Sequence, residues 1–102
     1  GEKFALRIFS DSEYAFFSRS KFRADFLSRQ FAAKEAVSKA LGTGFSGIHL
    51  SDISVLRDTK GKPFVELSGR AASEASKIGT NMIHISIADE RKYAIAYVVI
   101  VK

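Results

Sequence analysis

Residues 31–44 read FAAKEAVSKALGTG, a run of alanines and lysines that ends in Gly-Thr-Gly. Working back from Leu41, the apolar residues Phe26, Ala33, Val37, Ala40 and Leu41 fall at helical spacing, which predicts one long helix from about Ala24 to Leu41. Gly42 is placed to end that helix in the left-handed conformation. Ahead of it, Ser10 and Glu13 form a capping-box pattern leading into Tyr14, Phe16 and Phe17, so a short helix follows Ser10. The whole opening, GEKFALRIFSDSEYAFF (1–17), reads as helix and turn without a preceding strand. Beyond the glycines, alternation between Leu50 and Leu56, a turn composition at Asp58–Gly61 and an extended pattern from Pro63 to Leu67 predict a hairpin. Residues 70–78 are helical, with Gly79 as the stop. Met82–Ala88 and Tyr93–Val101 are β-rich runs separated by Asp89, Glu90, Arg91 and Lys92, which predicts a second hairpin. The fold class is therefore α+β: a single domain over residues 1–102, with the long helix packed on a small antiparallel sheet.

The bulk composition is consistent with that reading. With 46% hydrophobic and 26% charged residues in a chain of 102, the sequence can build one core and is neither disordered nor fibrous in type. No apolar run approaches the ~18 residues that span a bilayer, and the N-terminus carries no signal-like segment, so the expectation is no membrane and a cytoplasmic location. The absence of cysteine rules out disulfides, a thiolate nucleophile and zinc–thiolate sites. The net charge of +5 is uneven: residues 18–40 hold Arg19, Lys21, Arg23, Arg29, Lys34 and Lys39 against Asp25 and Glu35. A positive face of this kind suits an anionic partner, whether nucleic acid, a phosphorylated small molecule or an acidic protein, and equally suits solubility alone.

On the long helix, residues four apart share a face, so Glu35 and Lys39 project together, away from Val37 and with Ser38 expected beside them. As a solvated pair they contribute only ~0.3–0.5 kcal/mol. As chemistry, a carboxylate suits a hard metal ion and an ammonium suits phosphate oxygens, while Gly42 and Gly44, either side of Thr43, let a backbone come close to a polyanion.

FAAKEAVSKALGTG, followed by a strand–turn–strand containing Gly61-Lys62-Pro63 and then by IHISIADERKYAIAYVVI (83–100), resembles the bacterial holo-acyl-carrier-protein synthases over essentially the whole chain. These are small 4'-phosphopantetheinyl transferases. The resemblance implies that the phosphopantetheine arm of coenzyme A is moved to a serine of apo acyl carrier protein, in support of fatty acid biosynthesis. It also implies release of adenosine 3',5'-bisphosphate and a requirement for Mg2+. By match to the motif, Glu35 is the metal ligand and Lys39 meets the leaving phosphate. Ser38, Lys39, Gly42, Thr43, Gly44 and His84 are implied to line the coenzyme site. Lys3 and Arg7 correspond to the basic residues that dock the acidic carrier protein. The family forms trimers with sites between subunits, and the aromatics Phe16, Phe17 and Phe22, expected to be exposed, are compatible with such an assembly.

Three departures stand beside the resemblance. Gln30 occupies a position where members often carry arginine, and Arg29 points about 100° away on the helix. Asp89 stands where many carry a second histidine. The family's opening strand, whose Gly-x-Asp motif gives a second metal ligand, has no match in residues 1–102. Either that strand precedes Gly1 in a longer protein or the ligand has been lost. A non-catalytic module that binds coenzyme A or the carrier protein is therefore the competing reading. A nucleic-acid-binding domain is a third, resting on net charge and on neighbours such as Phe22 and Arg23, but no stacking platform or recognition helix accompanies them, so no nucleic-acid partner is expected.

Overall fold

The computed structural model describes residues 2–42, 47–89 and 94–102. Helix α1 covers Glu2–Ile8 and α2 covers Asp11–Arg19. The turn between them is held by the expected capping box: the Glu13 amide donates to Ser10 Oγ at 3.3 Å and the Ser10 amide donates to Glu13 Oε1 at 3.1 Å. Helix α3 runs Arg23–Ala40, and its 18 residues span about 27 Å. Gly42 closes it at φ 82°, its amide donating to the Lys39 carbonyl at 3.0 Å. An L residue is strained at that angle, which accounts for glycine there.

A 3-10 turn, Leu50–Asp52, leads into β1 (Ile53–Arg57), so the first strand starts three residues later than the alternation predicts. Strand β2 (Pro63–Leu67) pairs antiparallel with β1, placing Ile53 opposite Leu67 and Val55 opposite Val65. Helix α4 (Gly69–Lys77) links this hairpin to β3 (Met82–Asp89) and β4 (Ala94–Val101), which are also antiparallel, with Ile85 opposite Val98. The predicted turn residues Glu90, Arg91 and Lys92 lie outside the described residues.

The helix-on-sheet expectation is refined in one respect. Among the described residues the strands form two separate two-stranded ribbons, β1–β2 and β3–β4, rather than one continuous ladder. Strand β2 lies against β3, and α3 packs on β1, β3 and β4. Isolated hairpins are marginal in water, so the helix is what joins them into one structure. The core gathers Ala33 and Val37 from α3, Ala5 and Ile8 from α1, Ile53 and Val55 from β1, and Ala71 and Ala75 from α4. Phe17 belongs to it and is buried, against the expectation that it would be exposed, because it packs edge-on against Phe9, ring centroids 5.4 Å apart. Phe16 and Phe22 are exposed as expected. Among the described residues no helix is long and apolar enough to cross a membrane.

Candidate active site

Successive stripes of α3 do different things. Val37 and Ala33 face the core. Gln30, Lys34 and Ser38, four residues apart, form a second stripe that is also buried, at 4%, 0% and 1% exposure. Glu35 and Lys39 form a third, with Lys39 Nζ 3.1 Å from Glu35 Oε1 and side-chain exposures of 68% for Lys39 and 33% for Glu35. The helix thus brings one carboxylate and one ammonium together in its last turns, immediately before Gly42. Thr43 and Gly44 lie outside the described residues.

Two expectations need correction. Lys34 is no part of a positive face: its ammonium is sealed inside, ion-paired with Glu13 and donating to the Leu50 carbonyl at 2.8 Å and to the Ile53 carbonyl. Burial pushes its pKa down, and the Glu13 carboxylate pulls in the other direction. Ser38 does not stand beside Glu35 and Lys39 in solvent, since a step of one residue turns it about 100° onto the buried stripe.

Lys3 and Arg7 are exposed on α1, four residues apart and hence on one face. His84 is exposed on β3 beside Ser86, with Ile83, Ile85 and Ile87 turned inward, as the alternation predicts. The described hydrogen bonds and ion pairs do not connect His84 to Glu35 or Lys39. The outer face of this ribbon is apolar around His84: Met82, Tyr97, Val99 and Val101 are all exposed.

The buried cluster beneath the site was not expected. Glu13 Oε2 accepts from Gln30 Nε2 at 2.7 Å and from the Val55 amide at 3.1 Å, and Gln30 Nε2 also donates to the Val55 carbonyl at 2.8 Å. The i, i+4, i+8 spacing of Gln30, Lys34 and Ser38 was the available signal. Sequence could not say which side of the helix met solvent. A second cation was also missed: the Arg70 guanidinium lies so close over Gly47, φ 77°, that a Cβ there would sit 2.8 Å from Arg70 Cζ.

A profile of the 4'-phosphopantetheinyl transferase superfamily matches residues 1–98. This chain belongs to that superfamily. Among curated transferases it is similar to the holo-[acyl-carrier-protein] synthase of Vibrio cholerae, with 50% identity over 101 residues, 98% of this chain and 80% of that protein. It is likewise 47% identical over 102 residues to the enzyme of that name from Halorhodospira halophila, across 99% of this chain and 81% of the relative. Among solved transferases, the holo-[acyl-carrier-protein] synthase of Neisseria meningitidis superposes with a TM-score of 0.92 at 32% identity, over all of this chain and 82% of that one. The Helicobacter pylori synthase in complex with coenzyme A superposes with a TM-score of 0.82 at 29% identity, over 97% of this chain and 82% of that one.

Proposed function

We propose that this transferase, a single catalytic domain over residues 1–102, moves the 4'-phosphopantetheine arm of coenzyme A to a serine of an acyl carrier protein. The observation that carries the reading is 50% identity over 98% of the chain to a holo-[acyl-carrier-protein] synthase. In the reaction a serine oxygen–phosphorus bond forms, the pyrophosphate P–O bond of coenzyme A breaks, the serine loses its proton and adenosine 3',5'-bisphosphate leaves.

Among the described residues no group of three or more His, Cys, Asp or Glu side chains is gathered to hold a metal. Glu35, one-third exposed, is instead a lone hard oxygen donor. That donor fits Mg2+, which is commonly held by one or two carboxylates and takes its remaining oxygens from substrate phosphate and water. Held by Glu35, the cation would supply positive charge at the phosphoryl oxygens. Lys39 is paired with Glu35 in the free protein, and its long exposed side chain is free to leave the carboxylate and meet the leaving phosphate. Gly42, Thr43, Gly44 and His84 complete the proposed coenzyme site, while Ser38, at 1% exposure, lies on the buried side of the helix. Lys3 and Arg7 are the proposed docking pair for the acidic carrier protein. The apolar outer face of β3–β4 supports assembly with further copies as a homotrimer, and the composition supports a cytoplasmic location.

The test is to incubate the chain with coenzyme A, Mg2+ and apo carrier protein and follow the carrier's mass. A gain equal to the arm, abolished by Glu35→Gln with the circular dichroism unchanged, is the expected result. Coenzyme binding without any mass gain, persisting when any strand that precedes Gly1 in the natural protein is included, would favour the non-catalytic module.

A further inference from the structure

We propose that Lys34 and Glu13 are positioning residues, a buried ion pair that sets the azimuth of α3 and so aims Glu35 and Lys39. The proposal rests on the transferase reading above. Lys34 precedes Glu35 by one residue, so fixing the direction of one fixes the other at about 100° around the helix. The Lys34 ammonium spends its three protons on three elements: Glu13 of α2, the Leu50 carbonyl of the 3-10 turn at 2.8 Å, and the Ile53 carbonyl opening β1. The Glu13 carboxylate is held as fully. Its Oε1 takes the Ser10 amide at 3.1 Å and Lys34, and its Oε2 takes Gln30 at 2.7 Å and the Val55 amide at 3.1 Å.

Apolar packing tolerates small slides and rotations, whereas hydrogen bonds weaken steeply as they bend. A buried ion pair is also a poor way to gain stability, because desolvation offsets most of the attraction. Its place directly behind the displayed pair is better explained by precision: reacting groups need positions held within about 0.5 Å, and a ~1 Å error costs on the order of 100-fold in rate.

The experiment compares the parent with Glu13→Asp, which keeps the charge but withdraws it by one methylene, and with Glu13→Gln/Lys34→Met, which removes both charges at similar volume. Circular dichroism establishes folding. Single-turnover transfer and calorimetric coenzyme A affinity, with Mg2+ and with EDTA, are then measured. For the folded variants the transfer rate should fall roughly 10- to 100-fold. Coenzyme affinity in EDTA should stay within about threefold, and its tightening by Mg2+ should shrink, because only the aim of Glu35 has changed. Folded variants with parental rate and parental Mg2+ tightening would overturn the proposal. So would affinity lost equally in both buffers, which marks general loosening, or failure of both variants to fold, which makes the pair a folding determinant only. If the parent binds coenzyme A but transfers nothing, the functional reading fails and the Mg2+ tightening alone decides the positioning claim. A parent with neither transfer nor Mg2+ tightening overturns both.

Discussion

Lys34 and Lys39 lie five positions apart on one helix and have opposite surroundings. Lys34 is enclosed by Glu13 and two carbonyls, while Lys39 reaches into solvent and, among the described residues, pairs with Glu35. Exposed pairs of the second kind are worth ~0.2–1 kcal/mol, so at about 4–8 °C per kcal/mol for a domain of this size Lys39→Ala should lower the thermal midpoint by roughly 1–8 °C. Its expected effect is kinetic. A cation that meets charge developing on the leaving phosphate acts in the transition state, so kcat should fall ~100-fold with coenzyme A affinity nearly unchanged. Stopped-flow transfer alongside calorimetry checks this, and Lys39→Met should behave alike because it restores volume without charge. The Glu35–Lys39 face was legible in the sequence, since helical spacing alone places them together. The burial of Lys34 was not, because it depends on a carboxylate 21 residues earlier and on carbonyls of a 3-10 turn and a strand that come 16 and 19 residues later.

At the level of elements, legibility followed local chemistry. The capping box at Ser10, the glycines at 42 and 79, and the alternation within the second hairpin marked boundaries because each encodes a backbone conformation within a few residues, whereas alternation carried the first strand three residues too early, into the 3-10 turn. The break between the two ribbons was not readable, since strand neighbours are chosen by packing across the molecule. Gly42 allows a clean test of a terminus. At φ 82° no described atom lies within 4 Å of its missing Cβ, so a substitution there meets backbone strain and no clash. Gly42→Ala should cost ~1–2 kcal/mol, with Gly42→Asn recovering part of the loss because asparagine visits this region more readily. Thermal unfolding of the two variants gives the comparison, and equal midpoints for parent and alanine variant would remove Gly42 as the helix stop.

At the scale of the whole molecule two surfaces differ in character: α1 mixes Lys3 and Arg7 with exposed Phe4 and Leu6, whereas Tyr97, Val99 and Met82 crowd the outer face of β3–β4. An extended basic surface meeting an acidic protein is screened beyond ~8 Å at physiological ionic strength, so carrier-protein affinity should fall steeply with salt and coenzyme affinity less. Arg7→Glu should slow carrier association at low salt. An unchanged on-rate in stopped-flow fluorescence would remove α1 from the docking surface. Val99→Lys, placed on the apolar face opposite His84, should leave the fold intact and, on the proposed homotrimer reading, shift sedimentation toward the monomer. The enclosed Glu13–Lys34 pair also bears on how the chain reaches this structure. Its partners come from α2, α3, the 3-10 turn and β1, so a collapsed chain with any of them out of register would strand a bare carboxylate or ammonium in a dry interior. Wrong compact arrangements should thereby be raised in energy relative to the right one, so the pair is expected to select against misregistered topologies.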